Sequence, residues 1–225
     1  MMYILLLILL LGFLFPPLLL PFFSLIFLII LFIPYKYTFD SIVTLLVAPK
    51  QIIKIAFNPD LRRNHALEHA TINVIEELYG PQQLAGMAKE DGFYIMGRVN
   101  PVLVKEAAQE GLSRLQSGEK DLVIHNRCGT SLAVAKLVSS LTFLFLLFQT
   151  GNFTILYVVI AILASNLLGP IIGKQVQFLF TTSVDVKGMV ISNVYYEKEA
   201  GGVLGWVAVR QPQKLFIKTD KLRTY

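Results

Sequence analysis

Cysteine, histidine and tryptophan are all scarce in this sequence. The single thiol, Cys128, excludes an intramolecular disulfide and is at ease in a reducing compartment. Charge is scarce as well: Asp, Glu, Lys and Arg make up 16% of the 225 residues, against 55% hydrophobic residues. With a mean hydropathy of +0.62, the chain is too apolar for one soluble domain of ordinary composition. No charged side chain occurs in residues 3–33 or 137–172, and each stretch exceeds the roughly 20 residues needed to cross hydrocarbon. No Lys or Arg precedes the first apolar run and no small-residue cleavage site follows it, which argues for a retained anchor over a secretory signal. The net charge of +5 has no accompanying nucleic-acid motif. Orientation in a membrane explains the bias more simply, and no nucleic-acid partner is expected.

What is present divides the chain into four stretches, which predict a membrane protein with α-helical transmembrane spans and a mixed α+β cytoplasmic domain. Residues 1–34 are the expected anchor; Pro16, Pro17 and Pro21 allow either one kinked span or a short re-entrant hairpin. Residues 35–128 read as a cytoplasmic or interfacial α+β region. Within it, 41–57 alternates apolar patches with Lys50 and Lys54, as in an amphipathic surface helix or a buried soluble one. Asn58-Pro59-Asp60 marks a helix start with Asp60 as candidate N-cap, and helix formers run from Leu61 to Leu78 until Gly80-Pro81. Short β-like runs follow at Leu84–Ala88 and Gly92–Met96, then helical spacing from Val102 to Leu115 and a β-branched run at 122–124.

Residues 129–172 are the expected transmembrane pair, Leu132–Phe148 and Phe153–Ile172, with Thr130 and Ser131 as N-cap residues and Lys136 placed to snorkel. Residues 173–225 form a β-rich tail with strands expected in Val184–Tyr196, Val203–Val209 and Leu215–Ile217. Residues 34–131 and 173–225 hold nearly all the Lys and Arg. The positive-inside rule therefore places the polar domain and the C-terminus on the cytoplasmic side of a plasma or thylakoid membrane, in contact with membrane lipids.

Two short clusters hold every imidazole and thiol. His65-Ala66-Leu67-Glu68-His69 is an H-x-x-E-H pattern inside the expected helix. At about 100° per residue, positions 65, 68 and 69 share one arc, so two imidazoles can converge on one ion with a carboxylate beside them. Asn73 and Glu76 extend the same stripe. Zinc suits imidazole and carboxylate donors and keeps a position open in catalytic sites. The same order occurs in inverzincin peptidases, where the Glu activates water. His125-Asn126-Arg127-Cys128 is the second cluster, just before a span. His125, Glu76 or Cys128 can complete a metal set, and Arg127 can stabilise an oxyanion or bind a lipid phosphate. The structural alternative is a hydrogen-bonded stripe with Cys128 as a small buried residue.

These two clusters resemble the H-G-A-E-H-K-T-I-N-x-x-E and H-P-R-C-G-T-S stretches of the YqhQ-like bacterial membrane proteins, an uncharacterised family of predicted metal-dependent enzymes. The likeness covers roughly residues 60–180. Ala66, Ala70 and Asn126 depart from it, as in a divergent, cyanobacterial-type branch. The resemblance implies a divalent-metal centre, with zinc as the expected ion. The residues then predict a metal-dependent, peptidase-like membrane hydrolase with a membrane-protein substrate or complex as partner, with His65, His69, Glu76, His125 and Cys128 as metal donors and Glu68 and Arg127 as catalytic groups. The alternative class is a non-catalytic membrane protein that assists assembly or stability of a membrane complex.

Overall fold

The structure, a computed structural model, describes residues 19–98, 100–197 and 213–222. Pro16, Pro17 and the expected strand at 203–209 lie outside them. The described residues form α1 (Leu19–Ala56), α2 (Pro59–Tyr79), β1 (Ala85–Lys89), β2 (Gly92–Gly97), α3 (Pro101–Gln116), a 3-10 turn (Lys120–Val123), α4 (Gly129–Thr150), α5 (Ile155–Val176), a π turn (Gln177–Thr181), β3 (Met189–Glu197) and β4 (Gln213–Lys221). The described residues are mostly helical with one small antiparallel sheet. Among them, three helices are long and apolar enough to cross a membrane: Leu20–Ala56, Gly129–Thr150 and Ile155–Thr181. Phe23, Phe27, Phe145, Leu163 and many other large apolar side chains on them are exposed, a surface suited to lipid.

The chain divides into two units, residues 1–46 with 136–166 and residues 47–135 with 167–225. The first packs Phe143, Leu144, Leu147, Val158 and Ala161 with Ile33, Tyr37, Leu45 and Tyr157. The Tyr37 and Ser139 hydroxyls hydrogen-bond, and the Tyr35 and Phe153 rings stack with centroids 4.6 Å apart. Helix α1 passes through Pro34 without ending there, unlike the expected boundary at 34, and the residues 41–56 belong to it instead of forming a separate surface helix. The Thr38 hydroxyl donates to the Pro34 carbonyl one turn back at 2.8 Å.

In the second unit α2 and α3 lie against a sheet of order β1-β2-β4-β3. The tail therefore does not fold alone: β4 pairs antiparallel with β2, Phe93 opposite Ile217, and β3 pairs with β4. Leu67, Ile75, Phe93, Ile95, Val104, Ala108, Leu215 and Ile217 make its core. Asn64 pins the sheet to α2, donating to the Lys89 and Glu90 carbonyls and accepting from Thr219. Helix α2 starts at Pro59 with Asn58 as N-cap, its side chain accepting from the Leu61 amide at 3.0 Å. Asp60 instead occupies the first turn, because Pro59 at the first helical position fixes the start two residues earlier than an Asp60 cap would. The run at 122–124 is part of a 3-10 turn and its exit, because its carbonyls are taken by side chains of α2 instead of by a neighbouring strand.

Small residues set the closest approaches. A Cβ at Gly173 would lie 2.7 Å from Ser131 Oγ and one at Gly169 2.8 Å from Ala135 Cβ. This small-residue spacing lets α5 meet the start of α4 closely, as in packed membrane helices. A Cβ at Gly111 of α3 would lie 3.1 Å from both the carbonyl carbon and the Cβ of Ala70 in α2. Gly111→Leu is expected to cost about 1–3 kcal/mol of stability by overpacking and to lower the melting temperature followed by circular dichroism. Lys105→Ala, on the exposed side of the same helix, should leave it unchanged.

Candidate metal centre

Helix α2 is built to carry polar groups inward: its stretch from Asn64 to Ile72 is buried throughout. One face presents His65, Glu68, His69 and Asn73, and each needs a partner once removed from water. His69 Nδ1 lies 2.6 Å from the Val123 carbonyl and His65 Nδ1 2.8 Å from the Thr181 carbonyl. A carbonyl only accepts, so both Nδ1 atoms carry a proton, and in His69, which burial holds neutral, Nε2 presents a lone pair. His65 Nε2 lies 3.3 Å from Cys128 Sγ. His69 Nε2 is buried and has no hydrogen-bond partner among the described residues. Donor atoms of His65, His69 and Cys128 all fall within 4.8 Å of one another.

Cys128 stands immediately before α4, and the Thr130 amide donates to its sulfur at 3.3 Å. The cysteine thus takes the end-capping place that Thr130 and Ser131 were expected to fill. Burial pushes the thiol's pKa up, while the amides of Thr130 and Ser131 pull it back toward the thiolate. Burial likewise holds His69 well below the usual imidazole range, with His65 adding to the effect.

Glu68 is 5% exposed. Desolvation raises its pKa to about 8, against the opposing effects of His65 and the Ala88 amide, with Cys128 raising it further. A Cβ at Gly86 of β1 would overlap the Glu68 carboxylate, so only glycine leaves room for it there.

The remaining expected residues gather into a neighbouring cluster. His125 Nε2 lies 3.5 Å from Glu76 Oε2, and Arg127 pairs with the other oxygen of that carboxylate. The His125 ring centroid is 5.9 Å from that of His69. Burial lowers the pKa of His125 even with Glu76 beside it. Asn73 has a bracing part: its amide donates to the Leu122 and Ile124 carbonyls at 3.0 and 2.9 Å, fixing the turn whose Val123 carbonyl holds His69.

Two supporting residues escape sequence reasoning. Gln177, fully buried in the π turn, accepts from the His125 amide at 3.0 Å and donates to the His125 carbonyl and to Ser131. Arg62 donates to the Thr182 carbonyl at 2.8 Å and to that of Leu179 at 3.1 Å, gripping the same turn that holds His65. The only signal for Gln177 is an amide side chain at the end of an apolar run.

Because the folded pKa of Glu68 lies above its ordinary value of 4.5, its contribution to stability is intact below that pH and is lost as pH rises toward about 8. Glu68→Gln removes the titration. In EDTA-treated protein the variant is expected to gain on wild type as pH rises from 4.5 to about 8, by up to about 1.4 kcal/mol per pH unit. Melting temperatures across that range measure it, and a gap independent of pH would mean the carboxyl is not held protonated.

The family described as "Domain of unknown function (DUF6391)" matches residues 60–194, from the first turn of α2 into β3. An uncharacterised protein of the cyanobacterium Picosynechococcus sp. is 37% identical over 89 residues, which cover 36% of this chain and 43% of that protein. The chain thus spans less than half the length of that relative. No solved structure matches. With more than half of its length covered by the family, including every residue of both clusters, this chain belongs to the DUF6391 family.

Proposed function

We propose that the protein is a membrane-embedded, metal-dependent hydrolase with His65, His69 and Cys128 as metal donors and Glu68 as the proton-handling group. The observation that carries this reading is the buried His69 Nε2, which has no partner among the described residues and lies in a three-donor cluster with His65 Nε2 and Cys128 Sγ. An imidazole nitrogen buried with an unused lone pair is costly unless something accepts it. The donor set fits zinc. Each imidazole is oriented by a main-chain carbonyl at its other nitrogen, the usual arrangement for a ligating histidine. The 3.3 Å between Cys128 Sγ and His65 Nε2 is close to the roughly 3.5 Å that tetrahedral Zn–S and Zn–N bonds imply. Three protein donors are the number found in catalytic zinc sites, where structural sites use four.

Zinc held here would supply Lewis acidity for a substrate carbonyl and a lowered pKa for water. The chain's own residues do the rest. Glu68, beside the donors and anchored by the Ala88 amide, takes the proton of the attacking water and returns it to the leaving group, so the balance is one water consumed and one acyl bond broken. Arg127, about half exposed, holds Glu76 in place and remains able to meet an anionic group. In this reading Glu76 and His125 are neighbours of the metal set and support it from outside. The paired-cluster resemblance to the YqhQ-like proteins supports the same chemistry, and the distribution of Lys and Arg supports a cytoplasmic site.

Elemental analysis of detergent-purified protein carrying a tag without histidine tests the centre. Near one equivalent of zinc or another transition metal is expected in wild type and almost none in a folded His65→Ala/His69→Ala variant. Glu68→Gln should keep the metal and lose hydrolysis by about 100-fold or more. If it keeps both, the assembly-factor reading gains and the general-base role is lost.

A further inference from the structure

We propose that two copies of this chain associate side by side in the membrane through one flank of α5, the flank carrying Ile155, Val159, Ile162 and Asn166, with the two Asn166 amides hydrogen-bonded to each other. The inference is independent of the metal centre and needs no ion to be bound there.

Helix α5 is uncharged from Ile155 to Gly173, and within that stretch Asn166 is the sole amide side chain. It follows Ile155, the first residue of the candidate span, by 11 residues. At 1.5 Å per residue that is about 16 Å, near the middle of a hydrocarbon layer about 30 Å thick. Asn166 is exposed, and its side chain has no hydrogen-bond partner among the described residues. The adjacent Ser165 differs, because its hydroxyl donates to the Ile162 carbonyl of its own helix at 3.1 Å. An amide carries two donors and an acceptor, and hydrocarbon supplies no water to take them. Polar side chains at that depth are satisfied by a neighbouring helix.

The residues around the amide form a seam for one. Ile155, Val159, Ile162 and Asn166 recur at spacings of four, three and four, the repeat of two helices packed along their length, with Asn166 in the same repeat position as Val159. All four are exposed. The contacts inside the chain use a different flank of α5, where Val158 and Ala161 are buried in the core of the first unit.

Symmetry selects a second copy as the occupant. Copies of one chain insert in the same orientation, so two α5 helices related by a two-fold axis along the membrane normal run parallel and set each residue opposite itself at equal depth. Asparagine both donates and accepts and so complements itself, whereas a lone carboxylate or ammonium would repel its copy. A single Asn at a core position of such a repeat also fixes the register and the number of strands. A helix of another protein would have to bring its own polar group to the same depth; a second copy does so by construction.

The test uses the full-length protein with a fluorescent donor or acceptor fused at the C-terminus, reconstituted in phosphatidylcholine vesicles, with energy transfer followed as the protein is diluted in lipid. Wild type is expected to lose transfer along a monomer–dimer curve. Asn166→Leu, which makes the span more apolar and so preserves insertion, should raise the dissociation constant about tenfold, as loss of the interhelical amide bonds would give. Asn166→Gln keeps the amide and should recover most of that loss. Ile160→Ala, also exposed but about 120° around the helix from Asn166, should leave the constant unchanged. A wild type that is monomeric at every density overturns the proposal and leaves the amide to a helix of another protein. A dimer that Asn166→Leu does not weaken, or that Ile160→Ala weakens as much, overturns it as well.

Discussion

A buried imidazole has two nitrogens to satisfy, and tying one to a fixed carbonyl decides where the other points. In this protein that constraint acts twice within one helix turn: Val123 holds His69 and Thr181 holds His65. Each bond adds only about 1 kcal/mol net, but leaving either carbonyl or nitrogen unpaired in the interior would cost about 1–3 kcal/mol. The carbonyls come from opposite sides of α4 and α5 in sequence, one from the turn before α4 and one from the turn that closes α5. The orientation of the two rings therefore depends on both ends of the helical pair being held, and the surrounding polar groups do that. Asn73 fixes the 3-10 turn, Arg62 grips the carbonyls of the π turn, and Gln177 joins that turn to the His125 segment. Removing any one of them loosens a ring it does not touch.

The rest of the second unit is arranged around close approach to α2. Gly111 brings α3 against Ala70, and Gly86 brings β1 against Glu68. Both are places where a side chain is absent so that backbone can come near, one for packing and one for a carboxylate. The π turn belongs to the same economy of space. A helix that widens by one residue per turn redirects its last carbonyls, and such widenings concentrate at functional sites. Here the widening delivers the Thr181 carbonyl to His65 and buries Gln177 beside His125.

The sequence makes α2 legible because its signals are local: a cap, a proline at the first position, helix formers, and a Gly-Pro stop. The H-x-x-E-H stripe was readable for the same reason, since helical spacing alone puts its members on one face. Cys128 joining His65 and His69, with His125 turned to Glu76, was not readable, because both residues sit in one short turn and only tertiary packing selects between them. Asp60 lost the cap to Asn58 by a two-residue shift fixed by Pro59. The sheet is legible only in pieces, short β-like runs at 84–88 and 92–96 and a β-rich tail, whose union in the order β1-β2-β4-β3 depends on a long return of the chain that no local pattern encodes. Gln177 carried almost no signal, since a lone amide near the end of an apolar run reads equally as a snorkelling end.

The electrostatics explain how so polar a cluster survives burial at all. Desolvation keeps His69 neutral, the Cys128 sulfur as a thiol and Glu68 largely protonated near neutral pH. Without an ion these three groups bring no net charge into the interior, which avoids the several-kcal/mol penalty of isolated buried charges. In the metal-centre reading, thiolate and carboxylate forms become favourable only when a cation compensates them, so ion uptake and proton release would be one event. The Thr130 amide at the sulfur and the Ala88 amide at the carboxylate are already placed for the ionised forms. In the metal-centre reading such donors would stabilise the ionised forms once a cation is held; in the structural reading the same two amides bond the neutral thiol and carboxyl.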